Sequence, residues 1–414
     1  MENNMSYLFN NQTGFVPTAK DSFERLRVSE PFTLFDSSHR YRDNGLWSTG
    51  ATGGATAGFN ANGGFMMLSV GTVAGSELIR ETERVFPYQP GKSLLNINTF
   101  TMNPAKSGLR QRVGYFGASN GLFVVLEGAT LSFVKRSSSS GSVTETKVTQ
   151  GNWNKDPLDG NGPSGISLDI SKSQIWWTDI EWLGAGTNRL GFIIDGNIIH
   201  CHSFQHANGI TGTYFTTATL PIRYEITNTT AQAAGSTMFQ ICSTVLSEGG
   251  YELNGTQQSV STPFGSEYNL PVADTYYPAA AIRLKNTALD ACVIFSALSI
   301  IPQTSGENYN YRILNGSGVG VSGGSWVSAG DNSSVEYNLT GTAITGTGKI
   351  LASGYFSSKS NIGGVINLDK SQILNTQLSR NNLTNTPHQL ILAITASQNN
   401  SKVFASVDWE EISR

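Results

Sequence analysis

Apolar and polar residues exchange at every second position in short runs that follow one another from Pro31 onward, and the 3.6-residue period of an amphipathic helix is scarce. Gly121–Glu127 (GLFVVLE) and Thr130–Arg136 (TLSFVKR) flank a glycine-containing turn and predict a hairpin. Leu190–Ile194 and Asn197–His202 meet at Asp195-Gly196, where both residues tolerate positive φ, and predict a two-residue hairpin turn. Further strands are predicted at Pro221–Thr227, Met238–Leu246, Ala281–Lys285, Cys292–Ile300, Lys349–Phe356, Gln389–Ala396 and Lys402–Trp409. The glycine-rich stretch 49–64 (TGATGGATAGFNANGG) predicts a mobile or tightly curved loop. Ahead of the strands, residues 1–18 are polar and turn-rich and read as an extended arm. Asp21 caps one short predicted helix in which Phe23 and Leu26 share a face.

Strands at this spacing, with few helices, predict an all-β fold of two jelly-roll or lectin-like β-sandwich domains behind a short extended N-terminal arm. A chain of 414 residues also exceeds what one hydrophobic core serves. The predicted division is an arm with its helix over 1–30, a first sandwich over 31–255, a polar, proline-containing linker over 256–275 and a second sandwich over 276–414. Short echoes link the halves: Gly91-Lys92-Ser93-Leu94-Leu95 with Gly348-Lys349-Ile350-Leu351, and Lys172-Ser173-Gln174-Ile175 with Lys370-Ser371-Gln372-Ile373. Duplication of a sandwich and coincidence in a Ser/Thr/Asn-rich chain both account for them.

Composition narrows the function classes. Charged residues make up 14% of the chain, against about 25% in ordinary soluble domains. The 45 glycines, with many Ser, Thr and Asn, suit short strands, many turns and an uncharged surface open to subunit contact. A net charge of −3 without Lys/Arg clusters gives no electrostatic reason for a nucleic-acid partner. No run of about 18 apolar residues predicts membrane insertion. Cys201, Cys242 and Cys292 are an odd, widely spaced set, as in a protein assembled in reducing cytoplasm.

Each chemical motif has a plain competing reading. Gly91-Lys92-Ser93 imitates a phosphate loop, but Phe86 occupies the place of that loop's first glycine, and no other segment predicts a cofactor. Two G-x-S-x-G strings, Gly117–Gly121 and Gly320–Gly324, lack the helix that a nucleophile elbow requires. His200, His202 and His206 are the candidate metal ligands, since paired histidines on one strand face hold zinc well. Their competing role is hydrogen bonding to backbone. Asn152–Gly160 groups oxygen-bearing side chains of the kind calcium prefers, but Pro157 breaks the EF-hand pattern and Asx-rich turns bind their own backbone.

The segment Trp176-Trp177-Thr178-Asp179-Ile180-Glu181-Trp182-Leu183-Gly184 resembles the E-I-D-I-E strand of family-16 glycoside hydrolases, which are laminarinase-like jelly rolls. That resemblance implies two glutamates on one strand face, a carboxylate pair about 5 Å apart, acting as nucleophile and acid/base. Asp179 and Glu181 match its second and third positions, while Trp177 stands where the nucleophile belongs. Hydrolysis is therefore not predicted. Trp177, Asp179 and Glu181 share one strand face and form a candidate glycan contact, with core and interface packing as the alternative.

A broader resemblance spans Asp21 to Glu252. It is carried by Phe23-Glu-Arg-Leu-Arg27, Pro31-Phe-Thr-Leu-Phe-Asp36, His39-Arg-Tyr41, Asp43-Asn-Gly-Leu-Trp47 and Ile79-Arg-Glu-Thr82. Phe86-Pro-Tyr-Gln-Pro-Gly-Lys92, Leu109-Arg-Gln-Arg-Val-Gly-Tyr115, Asp179–Gly184, Leu220-Pro-Ile-Arg-Tyr-Glu225, Gln240-Ile-Cys-Ser-Thr244 and Ser247-Glu-Gly-Gly-Tyr251 continue it. In these strings the chain resembles a family of virion structural proteins of marine tailed phages, especially cyanophages and pelagiphages. The resemblance implies a non-enzymatic particle component, located in the virion and assembled in the bacterial host cytoplasm. The expected form is a symmetric homo-oligomer, a trimer, serving as capsid decoration, collar or fibre base. Its N-terminal arm would bind other virion proteins. The alternative is a receptor-binding module for host-surface glycans.

Overall fold

The computed structural model describes residues 30–252, 254–358, 366–367 and 376–413. It is all-β, built from antiparallel jelly-roll-like sandwiches. The predicted arm and its helix lie outside the described residues, apart from Glu30, and so does Lys370–Ile373 of the internal echo.

Two large sheets make the first sandwich. The front sheet runs, edge to edge, through Asn197–Phe204, Asn188–Ile194, Gln174–Ile180, Ser93–Thr101, Ser236–Glu248, Phe65–Val70 and Thr56–Asn60, with Phe32–Ser38 also pairing to Ser236–Glu248. The back sheet runs through Thr144–Thr149, Thr130–Ser137, Gly121–Glu127, Leu109–Phe116, Ile222–Asn228, Glu77–Thr82 and Trp47–Thr52. Strict alternation builds the core: in Ser93–Thr101, Leu94, Asn96, Asn98 and Phe100 point inward and their neighbours outward. The two buried asparagines are satisfied, Asn98 donating to Asn96 and Asn96 to the Thr244 carbonyl. Trp176, Tyr115, Tyr224 and Phe133 fill the space between the sheets. Burial of each such ring contributes about 1.5–3 kcal/mol. The predicted hairpin at Asp195-Gly196 forms, with φ of 51° and 77° at its two turn residues.

The back sheet is buried on its outer side as well. Phe116, Phe123, Val125 and Val134 cluster there. Guanidinium groups roof them: Arg136 stands 5.1 Å and Arg112 5.4 Å from the Phe123 ring centroid, and Arg223 5.7 Å from that of Phe116. Glu81, Glu225 and Glu145 neutralise these arginines through Arg223–Glu81 at 3.1 Å, Arg112–Glu225 at 3.2 Å and Arg136–Glu145 at 2.8 Å. Much of the chain's sparse charge is thus spent on internal pairs.

The second sandwich opposes a five-stranded sheet centred on Ser401–Ser413 and Cys292–Pro302 to a six-stranded sheet centred on Tyr277–Leu284, Leu390–Ala396 and Asn308–Asn315. Trp409, Phe295, Ile282 and Leu392 lie in its core. Two expectations are corrected. Residues 256–275, expected as a linker, supply Thr256–Ser261 and Tyr268–Leu270, both paired to Ser401–Ser413. The glycine-rich 49–64 is not one loop: the strands Trp47–Thr52 of the back sheet and Thr56–Asn60 of the front sheet take up most of it, and tight curvature is confined to the turns, where Gly53, Gly54 and Gly64 have positive φ. Small side chains leave the pairing backbone open, and the neighbouring strands supply the partners that this segment's own sequence does not advertise.

Residues 376–388 clasp one sandwich to the other. Arg380, 2% exposed, donates to Leu289 O at 3.0 Å, Thr82 O at 2.7 Å and the Glu81 carboxylate at 3.2 Å. Its backbone N–H reaches Glu83 O at 2.9 Å, and the Gln377 amide donates to Val85 O at 2.9 Å.

Candidate functional site

The Gln174–Ile180 strand lies between Ser93–Thr101 and Asn188–Ile194, and its alternation divides its residues between two environments. Trp176, Thr178 and Ile180 enter the core, while Trp177 and Asp179 face outward. Asp179 stands in register with Leu95 on one neighbour and Arg189 on the other. Just beyond the strand end, Glu181 is exposed and opens the loop 181–187.

A cavity of about 560 Å³ opens here, with Tyr88, Lys92, Asp179, Glu181, Leu183 and Arg189 among its lining residues. Asp179 forms its floor and is clamped by the Ser93 hydroxyl and by Arg189. Ser93 Oγ is also 3.1 Å from Glu248. One hydroxyl proton therefore serves two carboxylates, and the guanidinium supplies the balancing charge. Glu181 accepts the Thr187 N–H at 3.0 Å. Tyr88 forms a wall, its ring edge-on to Trp182 at 5.9 Å, and burial pushes its phenol up from the usual value. Leu183 forms the rim at 57% exposure with φ of 39°, a backbone conformation costly for a branched aliphatic residue. An exposed leucine held in that state indicates a constrained loop.

The constraint has identifiable sources. Tyr214 donates its hydroxyl to Glu181 O at 3.0 Å and its backbone N–H to Gly184 O at 2.9 Å. His206 stacks on Tyr214 with centroids 4.0 Å apart, and its Nδ1 lies 2.7 Å from Gly186 O. A carbonyl only accepts, so Nδ1 carries the proton and Nε2 takes the Lys135 ammonium at 2.8 Å. Burial, with Lys135 adding to it, holds His206 below the usual histidine range.

Two predicted sites are corrected by this arrangement. His200, His202 and His206 do not converge on a metal position, and among the described residues no cluster of three or more His, Cys, Asp or Glu side chains suits one. A bulge at Leu190/Gly191 interrupts the register of the Asn197–Phe204 strand, and each ring has its own hydrogen bonds. His200 Nε2 meets Ser203 Oγ at 2.9 Å, His202 Nδ1 accepts Asn154 N–H at 3.2 Å, and His206 serves the loop. The second correction concerns Trp177, which is 6% exposed and offers no stacking face. It covers Gly191, where a Cβ would stand 2.9 Å from its indole nitrogen. Of the three predicted glycan contacts, Asp179 and Glu181 reach the cavity and Trp177 does not.

The acidic loop 152–160 spends its side chains on backbone: Asp156 accepts from Leu158 and Ser164, and Asp159 from Asn161. Sequence reading missed Tyr88, Leu183 and Arg189. It met Gly91-Lys92-Ser93 as a failed phosphate loop and an internal echo and not as part of a site, although all three residues line the cavity.

No family model matches the chain, and neither does any curated protein. Solved structures resemble it at low scores. A protein of unknown function from Shewanella oneidensis MR-1 is 14% identical, with a TM-score of 0.36 over 54% of this chain and 90% of that one. The endo-1,3-β-glucanase of Streptomyces sioyaensis is 11% identical, with a TM-score of 0.38 over 52% and 96%. The CBM2 module of the evolved Dit of Lactobacillus casei BL23 phage J-1 is 8% identical, with a TM-score of 0.34 over 54% and 99%.

Proposed function

We propose that the chain is a non-enzymatic structural protein of a tailed-phage virion, forming a symmetric homo-oligomer, a trimer, whose N-terminal residues attach it to other virion proteins. One observation carries the non-enzymatic part: the acidic face holds no free carboxylate pair. Asp179 is tied to Arg189 and Ser93, and a buried tryptophan stands where a nucleophile would be needed. A carboxylate held by a guanidinium is a poor nucleophile, because attack would break the ion pair. The assembly part is supported by the long ordered resemblance and by the outward side of the front sheet. There the stacked rings of Phe65 and Phe239, 4.5 Å apart, sit among half-buried aliphatic residues and suit contact with another copy.

Purified particles test this directly, through labelled imaging of the protein on the virion. Deleting residues 1–20 is expected to abolish incorporation while both sandwiches fold. Normal incorporation of the truncated chain would contradict the attachment. Polysaccharide cleavage by the isolated protein, lost on Glu181→Gln, would overturn the non-enzymatic reading.

A second reading, glycan recognition by the same molecule, is favoured by the strained Leu183 rim beside Tyr88 and paired acidic and basic groups. Hydroxyl-rich ligands bind such mixtures of apolar wall and charged hydrogen-bonding groups. On a glycan array, Tyr88→Ala and Leu183→Ala are expected to remove the signal of the intact chain. Undiminished host adsorption by particles lacking the protein would dismiss this reading.

A further inference from the structure

A second cavity, about 670 Å³, lies in the seam between the sandwiches. The first sandwich contributes Leu46, Trp47, Glu83 and Arg84, and the second contributes the turns around Asn315 and Lys349. Its walls are preset, because the Arg380 and Gln377 bonds fix the clasp that closes one side. Cavities at domain junctions with a few convergent polar groups are where small ligands characteristically bind.

The polar groups specify what fits. Asn315, 8% exposed, has a buried Oδ1 without a hydrogen-bond partner and pairs across its strand with Lys349. Such a buried acceptor destabilises the fold unless a donor reaches it. Glu83 adds a half-buried carboxylate, which burial pushes up from the usual range while Lys349 pulls the other way. Leu46 and Ile350 give the mouth an apolar lip, with Ile350 half exposed.

A cationic ligand meets Lys349 beside a carboxylate that Lys349 and Arg380 already face. An anion sets lone pairs against Asn315 Oδ1 and Glu83. A hydroxyl group donates one proton and accepts on its lone pairs, so two neighbouring hydroxyls satisfy the amide oxygen and the carboxylate and still accept from the ammonium. We infer that the seam between the two sandwiches is a binding site for a neutral saccharide, whose hydroxyls donate to Asn315 and Glu83 and accept from Lys349. This site is separate from the Asp179 cavity and does not depend on its reading.

The test uses the full chain with isoleucine methyl groups labelled, titrated with a panel of neutral gluco-, galacto- and manno-oligosaccharides of one to four units. The Ile350 methyl signal is expected to shift with at least one sugar. Asn315→Leu and Lys349→Ala should each weaken that binding tenfold or more, whereas Leu183→Ala, at the other cavity, should leave it unchanged. Lys349→Ala is a surface change and keeps the result interpretable if Asn315→Leu fails to fold. Three outcomes overturn the inference: no Ile350 response to any sugar at 10 mM, taken as roughly the weakest useful affinity; a response untouched by Lys349→Ala; or one abolished by Leu183→Ala. Array binding that survives every seam variant but fails with Leu183→Ala would leave only the front-face site.

Discussion

Gly191 shows how a single position fixes the outer face of the front sheet. A methyl group there would stand 1.9 Å from the Ile199 carbonyl oxygen and 2.9 Å from the Trp177 indole nitrogen. The oxygen belongs to a paired strand and has little room to retreat, so strain falls on the pairing itself. Gly191→Ala is expected to destabilise the fold by about 1–3 kcal/mol, read as a lower urea midpoint with an unchanged slope. A midpoint equal to that of the parent protein would mean that the tryptophan roof is not seated as described. The same residues mark the limit of sequence reading. Period-two alternation places Trp177, Asp179 and Glu181 on one side of a strand, and that much is legible. Burial of Trp177 depends on a glycine in the next strand, and the cavity depends on Tyr88 and Ser93, some ninety residues earlier in the chain. Alternation within one strand carries no information about either.

Among the elements, the loop 181–187 owes its shape to partners outside itself. Tyr214 and His206 hold three of its carbonyl oxygens, those of Glu181, Gly184 and Gly186, and the histidine is in turn held by Lys135. Tyr214→Phe removes the hydroxyl bonds to Glu181 O and Asn188 Oδ1 and leaves both acceptors short. The expected cost is about 1–3 kcal/mol. Faster amide exchange should be confined to residues 181–187, with the flanking strands unchanged; uniform acceleration across the sheet would show that the tyrosine supports the core and not the loop. Hairpins were the most legible elements because their turn chemistry is local, as at Asp195-Gly196. The strands at 47–60 and 256–270 were not legible. Their residues are small or polar, and what makes them strands is the pairing that other strands offer: Phe65–Val70 next along the chain for Thr56–Asn60, Glu77–Thr82 for Trp47–Thr52, and the distant Ser401–Ser413 for Thr256–Ser261.

For the molecule as a whole, the clasp decides whether the two sandwiches unfold together, and the histidines decide how stability depends on pH. Arg380→Ala leaves Glu81 buried and short of one cation, and is expected to cost about 3–5 kcal/mol and to separate the unfolding of the two sandwiches into distinct calorimetric transitions. A single transition at the parent temperature would contradict the clasp. Acid acts on the first sandwich through four histidines and on the junction through His388, which lies beside Ser379 and Glu83. All five histidines lie below their usual range, with burial the leading cause, and His39, His202 and His388 are lowered to about 4. A histidine held neutral in the fold takes up its proton only on unfolding. Its contribution is therefore complete above about pH 6.5 and is lost as the pH falls from there towards the folded value. Each such group adds a slope of up to about 1.4 kcal/mol per pH unit. Glu83 works the other way, since burial raises its carboxyl and its folded form holds a proton more readily. It is one group against five. Asp43 and Glu145, both lowered by arginine partners that outweigh their burial, extend the loss to still lower pH. Stability in urea is expected to fall continuously from pH 6.5 to 4. His39→Phe should flatten that slope by one histidine's share, because the ring has no hydrogen bond to lose at either nitrogen. Stability that stays level across the interval would mean that the rings are charged, or reach solvent, in the folded chain.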